Sequence, residues 1–286
     1  MKPQFTDFGL PTTEQFAKYR IWDSYYHPHT SVEHPTLTAT IADDLATLAP
    51  FAIEKFCTYF HVGLGTARTS AANKAHNLTE IRRLLETQKD KLLGFIFLNP
   101  KDVEGSLRAL DEWVANGPAV GVFFLNNRNH LRCTHPNFFP LVKRASELGA
   151  IIMQHTWFKA GGREFPEEST PSDLAELAAK FPEANLCAVH AGGDWAQGVR
   201  AVRAFPNVTI ETSGFDPTQG FIEMAVRDLG AERIMFGGHF MSRSVATEFS
   251  KILGDEIGEA NRRLIFGGTL RRILGPILRK KGMRVD

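Results

Sequence analysis

Residues 150–195 read AIIMQHTWFKAGGREFPEESTPSDLAELAAKFPEANLCAVHAGGDW. A short apolar run ends at His155, and a polar stretch leads to Thr170, Pro171 and Ser172, residue types that open helices. In SDLAELAAKF the apolar residues then recur at three and four, the period of a helix with one buried face. A second apolar run, LCAVHA, follows, and Asp194 after the Gly-Gly pair is placed to cap another helix. Two short buried strands joined by a helix form a unit whose strands run parallel.

Working outward, the same unit repeats. Strands are expected at RIWDSYY from 20, EKFCTYFH from 54, LLGFIFLN from 92, AVGVFFL from 119, AIIMQH from 150, LCAVHA from 186, VTIETSG from 208 and RIMFGGHF from 233. Helical periodicity marks LTEIRRLLETQKDK from 78, VEGSLRALDEWVAN from 103 and FFPLVKRASELG from 138, the last closed by Gly149 as a C-cap. A doubly wound open sheet shares the alternation but needs a switch point and usually fewer strands. Eight repeats favour an α/β fold of the (β/α)8 TIM-barrel type, read as one unit over residues 1–286. Residues 1–19 read as a leader packed across the barrel, and residues 256–286 as a C-terminal helical extension ending in a basic, solvated tail.

Composition excludes other classes. Hydrophobic residues are 43% and charged residues 23% of the chain, as in globular proteins with a large core. A formal net charge of +1 provides no field to recruit nucleic acid. The N-terminus lacks the apolar core of a signal peptide, and no apolar run is long enough to cross a membrane. A cytoplasmic chain without membrane partners is expected. Cys57, Cys133 and Cys187 show no CxxC spacing, so neither disulfides nor a thiolate zinc knot are indicated, and Cys57 and Cys187 read as core.

Of the ten histidines, five fall where strands end: His27, His61, His155, His190 and His239. A lone strand-end histidine is more often packed than ligating, but parallel strands of a barrel bring all such residues to one face, where barrel active sites lie. Three or four imidazoles around one ion, with an open position, suit zinc and activate water. The expected metal set is therefore His27, His155, His190 and His239.

The chain resembles the amidohydrolase-related branch of metal-dependent barrels, which includes aminocarboxymuconate semialdehyde decarboxylase and 2-pyrone-4,6-dicarboxylate lactonase. IWDSYYHPH stands at the family's first-strand Asp-x-His-x-His, IIMQHTW at its fifth-strand His, LCAVHAGGDW at its sixth-strand His-x-Gly-Gly and ERIMFGGHFM at its eighth-strand Gly-Ser-Asp. IFGGTLRRILG resembles the closing segment, with Thr269 where the family has Asn. Two departures touch the ligand positions. Tyr25 stands at the first His position, leaving His27 at the second, and His27 and His29 pair two residues late. His239 stands at the Asp position, which removes a negative charge and favours zinc, nickel or copper over magnesium or manganese.

The resemblance implies hydrolysis of an amide, ester or lactone, or a non-oxidative decarboxylation, with a divalent metal ion, zinc by donor type. His239 and His190 are the expected acid–base residues, and Tyr25 is either a donor to substrate or core. Substrate contacts are expected from His29, His61, Asn99, Arg128 and Trp157. The partner implied is a small-molecule substrate, with homo-oligomers or pairing with a homologous subunit. Loss of two ligand-position residues equally fits a catalytically degenerate barrel kept for binding or structure.

Overall fold

The computed structural model describes residues 9–30, 32–64, 71–125, 131–158, 167–214, 219–240 and 242–285, with the backbone alone for 71–77. Eight parallel strands follow one another in sheet order β1 to β8. They are β1 Trp22–Tyr26, β2 Lys55–Phe60, β3 Leu92–Phe97, β4 Ala119–Phe124, β5 Ile151–His155, β6 Leu186–Val189, β7 Val208–Glu211 and β8 Ile234–Met235. Ser24 N–H donates to the Phe236 carbonyl at 2.9 Å, and a parallel bridge joins Tyr26 to Phe240, so β8 meets β1 and the barrel is nearly closed. The fold is the expected (β/α)8 TIM barrel.

The local chemistry follows the residues. Thr170 caps helix Pro171–Lys180 through a reciprocal box with Asp173, satisfying two backbone donors that the first turn leaves unpaired. Asp194 accepts from Gln197 N at 3.2 Å and caps Trp195–Val202. Gly149 (φ +74°) follows helix Phe138–Glu147 in the left-handed conformation expected of a C-cap glycine. The 103–116 segment begins as the α-helix Val103–Ala109 and continues as a π-helical stretch, Leu110–Ala115. The expected C-terminal extension contains Glu259–Arg263, a π-helical Leu264–Gly268 and Thr269–Lys280. Near the N-terminus Phe16 packs its ring against Phe249 (4.8 Å) and Phe51 (5.5 Å).

β8 departs most from expectation, since RIMFGGHF has only two ladder residues. The reason lies in its glycines: Gly237 N–H donates to Thr212 Oγ1 and Gly238 N–H to Asp23 Oδ1, so side chains take donors a longer strand would give its neighbours. Cys57 and Cys187 are buried and free, as is Cys133. Among the described residues no helix is long and apolar enough to cross a membrane.

Candidate active site at the barrel mouth

The strand ends bring distant residues together. β5 ends on His155, β6 runs into His190, β7 ends on Glu211, and β1 carries Tyr25 one residue before its end. His239 follows the glycines after β8. His190 (φ +61°) and His239 (φ +44°) adopt left-handed backbone conformations, which cost a non-glycine residue about 1–3 kcal/mol. Hydrogen bonds hold both: His190 N–H donates to Glu211 Oε2 at 3.1 Å, and His239 N–H to the Tyr25 carbonyl at 3.0 Å.

Two of the imidazoles are backed by buried carboxylates. His190 Nδ1 lies 3.1 Å from the Ser213 carbonyl, 3.0 Å from Ser213 Oγ and 3.4 Å from Glu211 Oε2. Because a carbonyl only accepts, Nδ1 is the donor in this contact. Glu211 is fully buried. Burial pushes its pKa up, but hydrogen bonds from His190 and Ser213 outweigh that and hold it below the ordinary carboxylate range. His155 Nδ1 stands 3.2 Å from buried Glu168 Oε1, at ion-pair distance but outside hydrogen-bond geometry. Burial, with His190 nearby, lowers the His155 pKa although Glu168 works against it.

Tyr25 occupies the middle of this face. Its ring centre is 4.6 Å from that of His239, 4.7 Å from His27 and 5.0 Å from His190. Tyr59 (5.2 Å) and Phe123 (5.9 Å) complete its surroundings. Burial raises the Tyr25 phenol well above its usual value, so it remains a neutral donor. Its hydroxyl makes no hydrogen bond among the described residues. Burial, with His190 second, lowers His239 to about 4; burial, then His239, lowers His27 well below its usual value. At neutral pH these two rings and His155 are uncharged.

Beneath the rings lies a group of buried acids. Asp23 Oδ1 accepts from Tyr25 N at 2.9 Å and Gly238 N at 2.8 Å, while Oδ2 has no partner among the described residues. Burial pushes Asp23 up to about 8, with Glu211 and Glu248 adding to the rise against the two backbone donors. Glu248 pairs with Lys251 at 2.7 Å. The packing demands glycine at 237, where a Cβ would stand 1.5 Å from Glu211 Oε1. Gly237→Ala is expected to cost about 1–3 kcal/mol, as overpacked cores do. Thermal denaturation of the purified variant measures it, and an unchanged midpoint contradicts this packing.

The remaining expected contacts are placed unevenly. Trp157 stands at the mouth, 6.0 Å from His155 and nearly parallel to it, and 6.2 Å from His190. His61 is exposed and stacks on Phe97 at 3.9 Å. His29 is also exposed, with Nδ1 donating to the His27 carbonyl at 2.7 Å. Asn99 Oδ1 accepts from Lys101 N at 3.0 Å, so its side-chain carbonyl serves a turn. Arg128 lies outside the described residues. Glu168 was not singled out from the sequence. It sits in a polar loop with no periodicity, and nothing local marks it as the carboxylate behind His155.

The metal centre implied by the sequence does not fit these side chains. Among the described residues no group of three or more His, Cys, Asp or Glu is placed to hold an ion. His27, His155, His190 and His239 share the mouth, but His155 touches His190 (5.3 Å), His190 touches His239 (5.1 Å), and His155 makes no ring contact with His239. The rings form a bent row, whereas the expected zinc set needs ligands that surround a point.

Comparison with known proteins agrees with the fold. The chain superposes on 5-carboxyvanillate decarboxylase from Sphingomonas paucimobilis at a TM-score of 0.65 and 14% identity, covering 90% of this chain and 99% of that one. It matches 2,6-dihydroxybenzoate decarboxylase from Rhizobium at 0.65 and 15%, covering 90% and 98%. It also matches 5-carboxyvanillate decarboxylase from Novosphingobium aromaticivorans, solved with manganese and 4-hydroxy-3-methoxy-5-nitrobenzoic acid, at 0.66 and 14%, covering 91% and 97%. No curated protein sequence matches the chain. The family model described as amidohydrolase matches residues 53–275, most of the barrel, and the chain belongs to the amidohydrolase family.

Proposed function

We propose that this chain hydrolyses a small ester or lactone, with His190 as general base and Tyr25 as donor to the developing oxyanion. The observation that carries the reading is His190 Nδ1 bound to the Ser213 carbonyl beside the Glu211 carboxylate, so that Nδ1 is the donor there and Nε2 is the nitrogen assigned to proton transfer. Water gives a proton to Nε2 as its oxygen bonds to the acyl carbon, and the carbonyl electron pair moves onto oxygen. Glu211 stabilises the imidazolium, as the buried carboxylate does in hydrolytic triads. The tetrahedral carbon then releases the alkoxide, which takes the proton back from Nε2. His155 and His239, both uncharged at neutral pH, add no repulsion to that imidazolium.

Aromatic walls favour a second reading. Trp157 is half-buried at the mouth with Tyr25, Tyr59, Phe97 and Phe123 packed in the core beneath, and two structural neighbours are decarboxylases of aromatic acids. In that reading an imidazole of the mouth, protonated from solvent, delivers its proton to the ring carbon while the bond to the carboxylate breaks and carbon dioxide leaves. Incubation with aryl esters, aromatic lactones and hydroxybenzoates separates the two, by acid titration against trapped carbon dioxide. Ester or lactone turnover supports the first reading, and carbon dioxide release without hydrolysis replaces it. Failure of both leaves the degenerate binding barrel. Tyr25→Phe is expected to lower kcat by about 10²–10³-fold with KM little changed, as loss of one oxyanion donor does. An unchanged kcat removes Tyr25 from the reaction.

A further inference from the structure

We infer that the mouth of this barrel is closed to a divalent ion by the side chain of Tyr25, so that whatever chemistry it performs proceeds without a bound metal. The inference holds whether the mouth hydrolyses or decarboxylates.

Three observations carry it. First, the space between His27, His190 and His239 is taken by the phenol ring, whose centre lies 4.6–5.0 Å from each imidazole centre. Those are ordinary spacings for aromatic rings in contact. Second, nitrogen ligands at about 2.0 Å from one zinc ion would set every pair of imidazole centres at roughly 5 Å. Two pairs here meet that spacing, His155 with His190 and His190 with His239, but His155 and His239 make no ring contact and His27 lies 6.5 Å from His239.

Third, the carboxylates nearest the mouth are turned to other work. Glu211 accepts from His190 N and Ser213 N, Asp23 Oδ1 accepts from two backbone N–H groups, and Glu168 faces His155 Nδ1. Manganese prefers oxygen donors, and the position His239 occupies offers it nitrogen; Asp23 Oδ2 and Glu168 Oε2 have no partner among the described residues, but both are buried. The two changes act together: an aromatic ring fills the room of an imidazole, and His239 replaces the anionic ligand of the family pattern.

The test is metal stoichiometry, read independently of turnover. The full chain is stripped with chelator, and manganese or zinc chloride is titrated in, followed by calorimetry and by elemental analysis after dialysis. Wild type is expected to retain no stoichiometric ion, and the double variant Tyr25→His, His239→Asp to take up about one per chain. An ion held by wild type and lost in either His155→Ala or His239→Ala overturns the inference. An ion held by wild type and kept in both variants lies elsewhere and leaves the mouth closed. A double variant with native circular dichroism that binds neither metal also overturns it, because Tyr25 would then not be the obstruction.

Discussion

His190→Ala is expected to reduce kcat/KM for the ester or lactone substrate by about 10²–10⁴-fold, the usual worth of a positioned general base. The size follows from position, since the ring is held by Ser213 and Glu211 and touches Tyr25, His239, His155 and Trp157 at once. No other imidazole in the row has that combination. The His155–Glu168 pair is the nearest analogue, but its contact lies outside hydrogen-bond geometry. Melting temperature separates chemistry from folding, because Glu211 keeps its bonds from the His190 and Ser213 backbone N–H groups when the ring is removed. Full activity in a folded His190→Ala protein would remove the proposed base.

The second large effect concerns stability. Asp23 is buried, and burial raises its pKa from 3.8 to about 8 in the folded chain. Between those values the folded protein keeps a proton that the unfolded chain has released. The stabilisation is fully present below about pH 4 and is lost as pH rises through about 8. At 1.36 kcal/mol per unit, the loss is on the order of 5 kcal/mol. Asn at this position preserves an oxygen for the Tyr25 and Gly238 N–H groups and cannot ionise. Chemical denaturation of wild type and Asp23→Asn between pH 4 and 8 should show wild type losing stability relative to the variant. Parallel profiles would mean that Asp23 is ionised in the fold.

Periodicity and caps made the barrel legible, because each depends on residues a few positions apart. The Thr170 box, the Asp194 cap and Gly149 are local devices that read the same in chain and structure. The two-residue β8 was not legible, since it depends on Thr212 and Asp23 reaching Gly237 and Gly238 across the barrel.

The site divides the same way. That His27, His155, His190 and His239 would gather at one mouth follows from strand direction, which the order of apolar runs along the chain determines by itself. Whether they surround an ion or stand in a row depends on ring-to-ring contacts among residues tens to hundreds of positions apart. So does the placing of Glu168 behind His155. Those contacts are settled by how eight strands bring their ends together and which side chain fills the centre, and here tertiary packing put the ring of Tyr25 there.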